Sequence, residues 1–392
     1  MEAATKRTRS SYGSTEPDRL SALPDELLRH VLSFLRSRQA VQTTVLSKRW
    51  VDLWRKVPAI NLDIREFPDS EWEKMKDFAT DLLMLHNAER LDMFRLSLWY
   101  TDSSKRPDVD RWIRRALKHH PLVLDVAAGP RCGLYQFPHL FSGFCRLKKL
   151  HLHGMSLKQS LEEHLRSGCP VLEDLNLNQC YHFFCCIQSD TLKNLVVYDC
   201  TNRSVGDTLT IKAPAISSLC LEGPFQRYID VSLDAGNSLE RASISFLPGY
   251  ASQRIEVGLL GSLFNVTKLD LEGFNIMGML EKGFDELPIF VNLKILSLNW
   301  CFNNHLGECH VQKIKALGRF LQKYPNLEKL TLQNIRVGMF EHLNCIRARE
   351  ASGMIINSTD CDIHAANYRR DGSKGDKACL DDKRLKNRLE RQ

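Results

Sequence analysis

Nowhere in the 392 residues do apolar side chains run for the roughly 18 positions a membrane helix needs. Met1 to Arg9 carries charge with no apolar stretch behind it, so the pattern is not that of a secretory leader. The signatures of common catalytic loops are also missing. There is no Gly-x-x-x-x-Gly-Lys-Ser/Thr, no Gly-x-Gly-x-x-Gly, no Gly-x-Ser-x-Gly, no Cys-x-x-Cys and no His-Glu-x-x-His. A chain without a phosphate cradle, a nucleophile elbow or a metal-spaced pair is expected to have no catalytic residues, no metal and no cofactor. Cysteine is the residue not in short supply. There are 13, an odd number, and no leader accompanies them, so the expectation is free thiols in the cytoplasm and/or nucleus rather than a disulfide framework.

The composition, 43% apolar and 26% charged, is that of a globular chain, and its length suits two domains or one elongated array. The net charge of +7 is local. Residues 36–56 carry +5, residues 103–120 carry +4 and residues 369–392 carry +4, leaving the remainder at −6. Nucleic-acid binding would want one basic face with aromatics or a reading motif, and none accompanies these patches, so neither nucleic acid nor membrane is expected as a partner.

Residues 1–17 are polar and read as a disordered lead. From Leu20 the pattern changes. Pro24 suits a first helical position, where its missing N–H costs nothing, and Asp25 and Glu26 meet the positive end of the helix dipole. Leu27, Leu28, Val31, Leu32 and Leu35 then recur at helical spacing. Ala40 to Val45 suggests a second short helix. Ser47 suits the N-cap of a third that carries Trp50, Leu53 and Trp54. Some 40 residues are too few to bury this much apolar surface alone, so part of it is expected to face a partner.

The run Leu23-Pro24-Asp25-Glu26-Leu27-Leu28, with Val31-Leu32-Ser33-Phe34-Leu35 and Val45-Leu46-Ser47-Lys48-Arg49-Trp50, resembles the F-box, as found in the plant family that joins it to leucine-rich repeats. Gln39 and Thr44 depart from the usual residues without touching the apolar pattern. The resemblance implies docking on a Skp-type adaptor, and through it on a cullin-RING scaffold. Carried over position by position, the contact would use Leu23, Pro24, Leu27, Leu28, Val31, Leu32, Leu35, Val45, Leu46, Trp50 and Trp54.

Beyond residue 60 the period changes to Leu-x-x-Leu-x-Leu-x-x-Asn/Cys, the strand segment of a leucine-rich repeat. Full matches start at Leu172, Leu192 (with Val197 in the third apolar place) and Leu293, and substituted ones at Leu147, Ile216, Leu239, Val266 and Leu327. Leu91 to Leu98 and Leu122 to Val126 look like earlier, more degenerate turns. The fold class expected is α/β, a three-helix F-box over 18–60 followed by a leucine-rich-repeat solenoid over 61–345, a horseshoe with a parallel β-sheet. Residues 346–392 are expected to be a polar, disordered tail, with a basic stretch from Lys383 to Arg391. Cys180, Cys200 and Cys301 fall in the repeat's buried Asn/Cys slot.

Residues between the leucines would face the concave sheet surface. The candidates for contact with a target protein of unknown identity are His151, His153, Asn176, Asn178, Tyr198, Glu222, Asp270, Glu272 and Asn299. The resemblance implies a substrate-recognition subunit of a Skp-cullin-F-box ubiquitin ligase. The alternative is an interaction protein of the same build with no part in ubiquitination. Leu287 to Lys294 and Tyr324 to Leu330 resemble the approach to the FBD module found at the C-terminus of many family members, but the pattern dissolves after Ile335.

Overall fold

The computed structural model describes residues 19–20, 22–67, 71–99, 106–129, 135–137, 144–204, 207–225, 228–247, 251–282, 284–301, 310–333 and 355–359. The polar lead and the Lys383–Arg391 stretch lie outside them.

The first unit is α1 (Asp25–Ser33), α2 (Ser37–Gln42), a 3-10 turn at Thr43–Val45 and α3 (Lys48–Arg55). Pro24 stands one place ahead of the expected position, as the extended residue before α1. Ser47 is extended before α3 but makes no side-chain cap bond. Arg49 in the first turn of α3 ties it instead to α1. It donates to Asp25 Oδ1 at 2.7 Å and to the Leu23 carbonyl at 2.6 Å. Leu28, Leu32, Ala40, Trp50, Leu53 and Val57 close around one another as this unit's interior.

Twelve strands then form one parallel sheet in chain order. They are β1 (Ala59–Asp63), β2 (Met93–Leu98), β3 (Val123–Ala128), β4 (Lys149–His153), β5 (Asp174–Asn178), β6 (Asn194–Tyr198), β7 (Ser218–Gly223), β8 (Arg241–Phe246), β9 (Lys268–Glu272), β10 (Ile295–Asn299), β11 (Lys329–Gln333) and β12 (Ile355–Thr359). Each of the eight repeat starts read from the sequence lies two residues before a strand. Of residues 346–392 only 355–359 are among the described residues, and they form β12. Its Ile355-Ile356 pair supplies the β-branched residues that a strand favours, and it pairs with β11 from Lys329↔Ile355 to Gln333↔Thr359.

Alternation of side chains decides what each strand buries. Leu150, Leu175, Leu195, Leu219, Ala242, Leu269, Leu296 and Leu330 lie in one register row, and Leu152, Leu177, Val197, Leu221, Ile244, Leu271, Leu298 and Leu332 in the next. All are buried. Each leucine, isoleucine or valine among them is worth about 1.5–3 kcal/mol when fully buried, and no strand could gain that without the strands beside it.

The return path depends on how much chain each turn has. Where starts are 27 to 34 residues apart, helices cover the back of the sheet: α6 (Gln253–Gly261), α7 (Ile276–Lys282) and α8 (His310–Leu321). α4 (Trp72–Leu85) and α5 (Arg106–Leu117) do the same at the first turns. Between β5 and β8, where starts are 20 to 24 residues apart, there is too little chain for a packed helix. Short strands such as Asp207–Lys212 and Tyr228–Asp234 pair there instead.

The turn leaving the strand recurs with a left-handed residue: Gly154, Gln179, Asp199, Gly273 and Trp300 all have φ between +47° and +75°. At Gly273 the requirement is twofold, since a Cβ there would lie 2.0 Å from the Phe246 carbonyl oxygen. In the next residue of three turns sits a buried cysteine. Cys180, Cys200 and Cys301 donate Sγ–H to the carbonyls of Leu152, Leu177 and Leu271 on the preceding strand, at 3.3, 3.4 and 3.5 Å.

The helical unit is stitched to the first strand. Ser37 Oγ accepts from Asn61 N at 2.8 Å, and Arg38 donates to the Glu66 carbonyl while its guanidinium covers the Phe67 ring. Buried Asp63 receives Arg65 at 2.7 Å and faces Arg36 at 3.7 Å. Burial by itself would raise the Asp63 carboxyl, but the Arg65 hydrogen bonds and both guanidinium charges outweigh it and hold the group below its ordinary value. Trp54 projects from α3 into the solenoid core.

Two stability measurements follow. Gly273→Ala should cost at least about 2 kcal/mol, because it adds a left-handed Cβ and a backbone clash. Gly318→Ala, in α8 with open space around it, should gain about 0.5–1 kcal/mol. Urea unfolding of both variants checks the pair, and equal effects would contradict it. The second concerns Glu256 of α6, which is 4% exposed and accepts from Asn275 N at 3.1 Å. Burial raises its carboxyl to about 7, above the ordinary 4.5, although the Asn275 N–H favours the charged form. A raised carboxyl contributes its full stability below the unfolded value and loses it as pH climbs through the folded one. Glu256→Gln should therefore flatten the fall in stability between about pH 5 and 8, by a difference on the order of 2–3 kcal/mol. Parallel slopes for wild type and variant would refute this.

Candidate docking surfaces

The eleven side chains carried over from the F-box resemblance fall into three groups. Leu28, Leu32, Trp50 and Trp54 are buried in this chain's own interior, at 7% exposure or less, so they shape the unit rather than face outward. Leu23 and Leu35 are half-buried and pack on that interior. Pro24, Leu27, Val31, Val45 and Leu46 are exposed, Val45 at 86%. Phe34, 75% exposed, joins them although the reading of candidate residues passed over it. Its signal was present in the sequence. α1 and the two residues that follow it carry two apolar stripes offset by one residue, Leu28-Leu32-Leu35 and Leu27-Val31-Phe34, each with spacing of four and then three. A helix packed along one side buries one such stripe and leaves the other open. His30 meets Phe34 edge to face at 4.9 Å and steadies the ring.

The second surface is the open face of the sheet. Three register rows run across it. From β4 to β11 the leading row includes Lys149, Asp174, Arg241, Lys268 and Lys329, the middle row His151, Asn176 and Asp270, and the trailing row His153, Asn178, Tyr198, Glu222, Glu272 and Asn299. All nine target-contact candidates lie in the middle and trailing rows, half-buried between their neighbours. On β2 to β5 opposite charges meet within the face. Arg95 is 2.8 Å from Asp125, and Asp174 lies 3.9 Å from Lys149 and 3.4 Å from His151. The His153 ring lies tilted against Trp99, with centroids 5.0 Å apart, and burial lowers its pKa although its bond to Asn178 favours the charged form.

Among the described residues no nucleophile and base converge on either surface; the exposed Cys145 Sγ lies 3.5 Å from His120 Nδ1 in the turns that precede β3 and β4. Burial pushes the Cys169 and Cys301 thiols up to about 12 and raises Cys200 as well, the reverse of what a reactive thiolate needs. His182 is held at about 4 by burial; it bonds the Phe184 carbonyl at 3.1 Å and the Tyr228 hydroxyl at 2.8 Å behind the sheet. An open groove of about 760 Å³ runs along the strand beginnings, beside Asn237, Asn265, Asn292 and Asn326. Its amides are committed, Asn265 to Asn237 at 3.1 Å, Asn292 to Asn265 at 2.8 Å and Asn326 to the Val291 carbonyl at 2.7 Å, and Thr267 Oγ1 donates to the Glu240 carbonyl. Among the described residues no three His, Cys, Asp or Glu side chains are placed to share a metal ion, and no helix is long and apolar enough to cross a membrane.

Comparison with known proteins agrees with this build. Residues 20–60 match the F-box domain, and residues 95–332 match the family profile described as FBD-associated F-box protein At5g56370, LRR repeats. The rice (Oryza sativa subsp. japonica) MEIOTIC F-BOX protein MOF is 34% identical over 355 residues, covering 81% of this chain and 72% of that protein. The putative FBD-associated F-box protein At5g56440 of Arabidopsis thaliana is 30% identical, covering 80% and 77%. The Arabidopsis F-box/LRR-repeat protein At4g14103 is 27% identical, covering 81% and 92%. Motif, solenoid and relatives together make this chain a member of the plant family of F-box proteins with FBD-associated leucine-rich repeats.

Proposed function

We propose that the chain is the substrate-recognition subunit of a Skp-cullin-F-box ubiquitin ligase. Its F-box docks a Skp-type adaptor, which hangs on a cullin-RING scaffold, and its repeats hold a target protein. The observation that carries the reading is the second apolar stripe of α1. Leu27, Val31 and Phe34 are exposed above a core that is already filled, so their burial awaits another molecule. Val45 and Leu46 add exposed aliphatic surface from the 3-10 turn. Aromatic and aliphatic anchors of this kind make the desolvated centre of a protein interface. Trp50 and Trp54 act from beneath, by fixing α3 against α1 and against the solenoid. The chain supplies no acid, base or nucleophile to the transfer. Its contribution is proximity, holding a target lysine where a conjugating enzyme on another subunit reaches it.

The test is adaptor affinity. Leu27→Arg/Leu46→Arg should weaken adaptor binding by at least about 100-fold, or about 2.7 kcal/mol, with thermal unfolding unchanged. Trp50→Ala should lower the unfolding temperature as well, since it empties an interior position. Equal adaptor binding by wild type and the double arginine variant would defeat the assignment.

A further inference from the structure

Among the described cysteines Cys145 alone is exposed; Cys169, Cys180, Cys200 and Cys301 are buried, and Cys185, Cys186 and Cys220 are half-buried. Its sulfur faces an imidazole, with His120 Nδ1 3.5 Å from Sγ. The two residues belong to successive turns of the solenoid, 25 residues apart, so the contact is a product of the stacking and not of local sequence. Neither docking surface described above contains them.

The backbone holds both partners in place. Cys145 stands between Phe144 and Leu147, which are 3% and 0% exposed, and the Leu147 N–H closes the turn on the Phe144 carbonyl at 2.9 Å. His120 follows α5, where its N–H donates to the Leu117 carbonyl at 3.1 Å, and buried Pro121 comes next. Its φ of +46° is left-handed, a region that histidine enters more readily than most residues with a Cβ. Arg146, next to Cys145, donates to the His120 carbonyl at 3.2 Å and ties the two turns together. The adjacent His119 is used differently, its Nδ1 lying 2.8 Å from the Ala88 carbonyl. An imidazole in contact with a thiol is the arrangement that activates a cysteine nucleophile. With its proton on Nε2, His120 offers the Nδ1 lone pair to the Sγ hydrogen. An exposed turn admits a small reagent and gives a large substrate little to hold, so the pair suits a stoichiometric exchange rather than turnover.

We propose that Cys145 is a modification site which, with His120 as its base, takes up half of a low-molecular-weight disulfide of the glutathione type. Sγ attacks one sulfur of the reagent, a new S–S bond forms, and the reagent's own S–S bond breaks. The thiol proton passes to His120 Nδ1 and from there to the departing thiolate, which leaves as a thiol. Cys145 is oxidised and the departing sulfur is reduced, so no other oxidant takes part. The same exchange with excess free thiol removes the adduct. This site does not depend on the receptor reading above.

The test exposes the reduced full chain to oxidised glutathione and follows each cysteine peptide by mass spectrometry. Cys145 should gain glutathione in the wild type and lose it again in dithiothreitol. His120→Gly keeps the left-handed turn without strain and removes the base. His120→Asn does the same with a side chain that tolerates that conformation. In both variants the rate at Cys145 should fall at least about tenfold. Free imidazole should restore part of the lost rate in His120→Gly, which it would not do if His120 only shaped the turn. Buried Cys169, Cys200 and Cys301 should stay unmodified in all three proteins, so the same digest reports that the fold is intact. No adduct at Cys145 in the wild type, equal rates in the wild type and both variants, or a loss that imidazole leaves unchanged would each overturn the proposal.

Discussion

Everything in this molecule rests on one packing rule. A strand of five residues with two inward aliphatic side chains is not stable alone, and it becomes stable when the same two positions repeat on either side of it. The Leu150 and Leu152 rows run through eight consecutive strands without a break in register. A slip of one residue would carry a whole strand's leucines to the open face. Register is therefore fixed by the core, and the three outward positions of every strand fall into straight rows that cross the sheet.

The rule also explains parts of the structure that look irregular. The back of the sheet is helical at both ends and stranded in the middle because the turns differ in length, while the front remains uniform. Cysteine suits the slot after the left-handed turn because its small thiol is buried easily and still caps a carbonyl of the preceding strand. Glycine is required where that turn meets a neighbouring backbone, as at Gly273, whereas Gln179, Asp199 and Trp300 accept the same φ. At the N-terminal end the F-box interior adjoins the solenoid. Trp54, Ser37 and Arg38 all reach across, so the docking unit is held on the first repeat by core packing, hydrogen bonds and charge together.

Periodicity made the sheet legible in advance. The eight repeat starts anticipate β4 to β11 because a leucine-rich repeat spends its most constrained residues on the strand. The backs of the turns were not legible, since a loop, a short helix and a short strand all satisfy the same few apolar contacts there. β12 was hidden by the polar composition around it. For the F-box, the motif marked the correct stretch and grouped side chains with different physical roles. Phe34 stands within the motif run but outside the set of contact residues carried over from the resemblance, and its exposure follows from the second apolar stripe. The outward rows were beyond reach until register was known, because Arg241 and Glu222 belong to different repeats and only the strand pairing sets them on opposite sides of one face.

Fold and recognition are thereby assigned to separate residues. In the repeats, the inward leucines carry stability and the outward positions carry little of it, so the outward side can change chemistry at small cost to the fold. Opposite charges meet on both halves of the face, at Arg95–Asp125 in the first and at Lys268–Asp270 in the second. In α1 the same separation occurs within one helix, where of the adjacent residues Leu27 and Leu28 one is exposed and one closes the core. The receptor role proposed above would need this arrangement. The docking side must stay constant while the reading side varies, and here they lie on different elements joined through Trp54 and Asp63, neither of which is exposed to solvent.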